Sequence, residues 1–121
     1  MGTRAVYTFI DELNCVSVYK HWDGYPTWAC RDIANALPLA WPLPRFEAEE
    51  FAAAFVAANK KGRGDIYLIA CPKAPGGLAY RYEIRCPDGQ LHVRIYSCAD
   101  DDQPIFEGTL EDAQQFASTF H

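Results

Sequence analysis

"YRYEIRCPDGQLHVRIYSC", Tyr80 to Cys98, consists of two alternating runs around a tight polar turn, and its parity decides the fold. Tyr80, Tyr82, Ile84 and Cys86 form the mainly apolar set of the first run, and Leu91, Val93 and Ile95 that of the second. Side chains alternate between the two faces of a strand, so these sets meet only across an even-numbered loop, and a slip of one residue would turn one of them to solvent. Proline, aspartate and glycine in "PDGQ" supply the turn. The resulting register sets Arg85 opposite His92, Glu83 opposite Arg94 and Arg81 opposite Tyr96. One face of the hairpin is core; the other is a ladder of cations, rings and one carboxylate.

Upstream, the apolar run Ile66 to Cys71 predicts a buried strand, with "PKAPGG" as the loop into the hairpin. Nearer the N-terminus, Arg4 to Ile10 and Cys15 to Trp22 alternate as two further strands joined by "DELN". Pro26 suits the first position of a helix running to about Leu37, which Pro38 ends. The prolines of "PLAWPLPRF" predict an extended connector that packs Trp41 and Leu43 on the core. A second helix, Glu47 to Lys60, places Phe51, Phe55 and Ala58 on one face, with glutamates in its first turn, lysines in its last and Gly62 as its stop. Downstream, "ADDDQP" reads as an exposed acidic turn and Ile105-Phe106 as an edge strand. Thr109 then caps a helix with the stripe Leu110, Ala113, Phe116 and Phe120. The order ββααβββ(β)α lacks a regular βαβ alternation. It predicts one α+β domain over residues 1–121, a largely antiparallel sheet of five to six strands with two to three helices packed on it.

With half of its 121 residues hydrophobic, the chain can bury one core. A formal charge of −5 argues against duplex nucleic acid or an anionic membrane as a partner. No apolar run approaches the roughly 20 residues of a membrane helix, so the expected location is the cytoplasm. Of the five cysteines, an odd number without a Cys-x-x-Cys pair, most read as small core residues in a reducing compartment. His21, His92 and His121 have no metal-ligand spacing, and no phosphate-loop, dinucleotide or hydrolase motif is present, so no metal, cofactor or catalytic set is expected.

Two places carry candidate chemistry. "YKHWDGYP", Tyr19 to Pro26, sits where the second strand gives way to the first helix. Period two sends Lys20 and Trp22 to one side and Tyr19, His21 and Asp23 to the other, with Trp22 and Tyr25 as stacking surfaces. The plainer reading is a corner in which Trp22 is core and Asp23 bonds to amides of the Gly24 turn. On the hairpin, Arg81, Arg85 and Arg94 with His92 and Tyr96 could hold a phosphate or carboxylate through paired hydrogen bonds. The plainer reading there is a solvated sheet face in which Glu83 and Arg94 pair.

The stretches "GTRAVYTF", "VYKHWDGYP", "ALPLAWPLPRFEAEEFAAAFVAANK" and "YRYEI" with "LHV" behind it resemble a family of small uncharacterised proteins of bacteria, phages and prophages. Thr27-Trp28 stands where that family often has Glu or Ser followed by Gly. The resemblance implies a small accessory protein and brings no reaction or catalytic residue with it. The leading expectation is a non-enzymatic binding protein for an anionic, nucleotide-like ligand or a host protein partner, carried by the corner and the hairpin arginines together. The alternatives are a homodimeric interaction protein and a small hydrolase or transferase using His21 and Asp23.

Overall fold

Ala5–Ile10 and Cys15–Lys20 pair antiparallel as β1 and β2, with Tyr7 opposite Val18 and Phe9 opposite Val16. The computed structural model describes residues 3–70, 77–99 and 103–119. Within them follow α1 (Pro26–Ala36), a 3-10 turn (Leu37–Leu39), α2 (Ala48–Asn59), β3 (Ile66–Ile69), β4 (Tyr80–Arg85), β5 (His92–Ser97), β6 (Phe106–Thr109) and α3 (Leu110–Thr119). The strands form one sheet in the order β3-β2-β1-β4-β5-β6, an α+β architecture in the element order predicted. Four of its pairings are antiparallel, while β1 and β4 run parallel at the centre with Tyr7 beside Tyr82. The β4–β5 hairpin has the expected register at Arg81–Tyr96, Glu83–Arg94 and Arg85–His92.

The helices lie on the face that carries Ala5, Tyr7 and Phe9. Phe51 and Phe55 of α2 meet Phe9 with ring centroids 5.6 and 5.3 Å apart, and Tyr7 stacks on Tyr82 at 4.9 Å. At α3, Phe116 stacks on Phe106 of β6 at 5.0 Å, and Ala113 and Ala117 complete the same core. Each such buried ring contributes about 1.5–3 kcal/mol relative to exposure, so the aromatic strip across β1 and α2 is the principal cement. β1 is buried on both faces, as its apolar residues, broken only by Thr8, require of a central strand. On its other side, Thr8 and Ser17 satisfy each other with a 2.9 Å hydroxyl contact.

Local chemistry explains most element ends. Thr109 Oγ1 accepts the Asp112 amide at 3.1 Å, the predicted cap of α3. The first turn of α2 is served from a distance. Asp11 accepts the Leu13 and Asn14 amides through Oδ1 and the Ala48 amide through Oδ2, at 2.8, 2.7 and 2.7 Å. One carboxylate thus shapes the "DELN" turn and caps a helix 37 residues further on.

Several expectations are corrected. Trp41 lies at the surface beneath the Arg45 guanidinium, 3.3 Å from its ring centroid, while Leu43 packs on the core with Ala40 and Phe46. The connector is not extended throughout, because Pro38 continues α1 as the 3-10 turn. No lysine lies in the last turn of α2, which ends at Asn59. Lys60 instead ties the following loop by donating to Gly62 O and Ile66 O at 3.1 and 2.8 Å. Gly62 is not the left-handed stop; Lys60 leaves the helix extended, and the positive φ of this loop belongs to Gly64. Cys15 is exposed and disulfide-bonded, against the reading of most of the cysteines as reduced core residues, whereas Cys30 and Cys86 are free thiols. Cys71, most of "PKAPGG", the aspartates of "ADDDQP", Phe120 and His121 lie outside the described residues.

No helix of the described residues is long and apolar enough to cross a membrane.

Candidate functional site

The corner "YKHWDGYP" is fastened by its glycine. Gly24 N donates to Thr3 O at 2.8 Å, and Gly24 O accepts the buried Tyr82 hydroxyl at 2.5 Å. A Cβ at this position would lie 2.6 Å from Thr3 O and 2.8 Å from Ala5 Cβ. Close approach to β1, rather than a special φ, therefore requires glycine here. The left-handed conformation falls on Asp23, at φ 58°, and no described residue bonds to its carboxylate in the way the turn reading expected.

This geometry divides the stretch between two clefts with Trp22 as their common wall. Lys20 follows the helix side of β2, where its Nζ is paired with the Asp32 carboxylate of α1, both side chains largely buried. Burial pushes the Asp32 carboxyl up, and the Lys20 hydrogen bond and charge offset part of that. Asp23 lines this cleft as well, so the strand alternation that sent it with His21 ends at the corner. His21 points to the other cleft, an open groove of about 1040 Å³ that it lines with Arg4, Trp22, Tyr25 and Tyr80. His21 and Asp23 therefore form no acid–base pair. The imidazole is held by Tyr19, whose hydroxyl lies 2.8 Å from Nδ1, and its edge meets the Trp22 ring at 4.4 Å. Burial raises the Tyr19 phenol, which keeps its proton available for that bond. That contact engages Nδ1 and leaves Nε2 as the remaining polar atom of the ring.

Two exposed aromatic rings complete this cleft: Trp22 and Tyr25 are each 50% exposed, and Tyr25 lies 5.8 Å from the Tyr80 ring. Arg4 was not singled out from the sequence. The β1–β2 register could have found it, because Ala5 opposite Lys20 sets Arg4 opposite His21. Among the described residues, no carboxylate forms an ion pair with Arg4.

The hairpin ladder is compensated from within. Glu83 accepts Arg81 at 2.9 Å and lies 3.8 Å from both Arg85 and Arg94. Arg94 also bonds Glu107 of β6 at 2.8 Å, which holds its guanidinium more firmly charged. Arg81 lies over the nearly buried Tyr96 ring at 3.8 Å. His92 Nε2 is 3.4 Å from Asp88 without hydrogen-bond geometry. The corner and the ladder share only one end. Arg81 and Tyr96 lie in the cross-sheet row of Tyr19 and Val6, next to the His21 end. Arg85 and His92 lie about 13 Å further along the strands, at roughly 3.3 Å per residue.

The helix-free face carries four guanidiniums, Arg4, Arg81, Arg85 and Arg94, against two carboxylates, Glu83 and Glu107, on a chain whose formal charge is −5. Of these four, Arg4 lines the corner cleft and Arg81 lies in the neighbouring row, while Arg85 and Arg94 lie further along the hairpin. No family model, no curated protein and no solved structure matches this chain.

Proposed function

We propose that the chain is a small non-enzymatic binding protein whose ligand is anionic and nucleotide-like, held in the cleft between Arg4, His21, Trp22 and Tyr25. The carrying observation is the juxtaposition of an Arg4 guanidinium with no ion pair among the described residues and two half-exposed rings. Phosphate recognition needs the first, since a guanidinium binds phosphate oxygens through parallel hydrogen bonds. A base needs the second, since every base offers a π-face to an aromatic ring. His21, tied to the Tyr19 hydroxyl through Nδ1, adds its other ring nitrogen as a polar group of the cleft wall. The hairpin arginines contribute mainly through the field they leave at its mouth, because Glu83 and Glu107 already engage them directly.

The test is a thermal-shift panel of AMP, cyclic AMP, ATP and inorganic phosphate. A ligand at about a hundred times its dissociation constant adds roughly 2.7 kcal/mol, a rise of about ten degrees for a domain of this size. The expected rise is lost in Arg4→Ala, where the charge is removed, and reduced in Tyr25→Ala, where a ring is removed. No shift from any of the four at millimolar concentration overturns the reading and directs the search to a protein partner.

A further inference from the structure

We infer a second binding site on the other side of Trp22, whose chemistry fits a neutral polyhydroxylated ring such as a pyranose unit of a glycan. The cleft between the end of β2, α1 and the α2–β3 loop encloses about 440 Å³, within the roughly 300–1,000 Å³ of small-molecule sites. Two of the chain's three tryptophans wall it: Trp22 from the corner and Trp28 from α1, 50% and 43% exposed. Apolar area of that size left in water inside one concave site is unfavourable until a flat partner covers it.

The polar groups of the cleft select the partner. Its floor is Asp32, 8% exposed, whose Oδ2 takes Lys20 while no described residue donates to Oδ1. Across the cleft lining, Lys20, Arg31 and Lys61 balance Asp23, Asp32 and Asp65. A ligand with net charge therefore meets as much repulsion as attraction. A cation caged by the indoles is further disfavoured, because the Arg31 guanidinium already lies 4.6 Å over the Trp28 ring. A sugar ring suits the groups left available. Its C–H face covers an indole, and its hydroxyls, each both donor and acceptor, bridge Asp32 Oδ1 to the ammonium and amide donors beside it. The site needs no phosphate and does not depend on the nucleotide reading.

The test is an array of neutral and acidic glycans probed with the full chain, followed by calorimetric titration of the best neutral member. Binding to neutral glycans is expected, weakened about tenfold, or about 1.4 kcal/mol, in Trp28→Ala. Asn35→Ala, an exposed change on the cleft wall, gives a smaller loss in the same direction. Trp41→Ala, which removes the remaining tryptophan in the connector, leaves affinity unchanged. No glycan above background, binding confined to acidic glycans, or wild-type affinity in both Trp28→Ala and Asn35→Ala would each overturn the inference.

Discussion

Gly24→Ala asks whether the corner is held by close approach. If space were available, the substitution would stabilise the chain by about 0.4–1 kcal/mol, because alanine restricts the unfolded state and Gly24 has no positive φ to lose. Space is not available. The new Cβ would lie 2.6 Å from Thr3 O against the 3.4 Å where ordinary contact begins, and its second neighbour, Ala5 Cβ, is fixed to the central strand. Neither is the free end of a flexible side chain, so the corner must move by about the 0.8 Å difference between those two distances. That displacement stretches the bonds from Gly24 N to Thr3 O and from the Tyr82 hydroxyl to Gly24 O. Overpacking costs about 1–3 kcal/mol and each weakened bond about 0.5–1.5, which leaves a net loss near 3 kcal/mol. For a chain of this length the melting midpoint should fall by about 12 °C. Calorimetry of Gly24→Ala beside Gly62→Ala is the assay, because the Cβ at Gly62 meets nothing within 4 Å. An unchanged or raised midpoint for Gly24→Ala would refute the close-approach account.

Asp11→Ala removes three amide partners at once and should cost about 1–2 kcal/mol in urea titration, the scale of a lost helix cap. Those amides lower the Asp11 pKa, so its contribution is complete above the unfolded carboxylate range, near 3.9, and is lost as pH falls through the lower folded value. The wild-type advantage over Asp11→Ala should therefore vanish in acid; a constant difference from pH 7 to pH 2 would contradict it. Thiol alkylation without reductant should leave exposed Cys15 unmodified because of its disulfide, and buried Cys30 unmodified because burial pushes its thiol up to about 12. Peptide mapping that finds either residue alkylated in the native protein speaks against that assignment.

Elements fixed by short-range chemistry were legible in the sequence. Period two and a tight turn gave the β4–β5 register, Pro26 marked the start of α1, and Thr109 marked the cap of α3. The failures lie where a distant group decides. Trp41 reads as core by composition, but Arg45 covers its ring at the surface. Gly62 looks like a helix stop, yet Lys60 turns the chain first and is anchored by carbonyls of the following loop. At the corner, alternation placed Lys20 and His21 on opposite sides but failed for Asp23, because a residue at positive φ no longer obeys the strand period. The hairpin cations were correctly ordered along their face, but Glu83 serves three of them, which pairwise reading of opposite residues cannot show.

The parallel contact between β1 and β4 bears on how the chain reaches its native state. Tyr7 and Tyr82 stack across that central seam although 75 positions separate them in the chain. Each flanking hairpin can close locally and quickly, but joining them requires closure of a long loop before its contacts repay the entropy. Docking of the two hairpins is therefore the slow step. Until it occurs, β1 offers an unsatisfied apolar edge to any neighbouring chain. Refolding at low protein concentration, and prompt placement of the Gly24 corner over the start of β1, are the conditions that would keep that edge for β4.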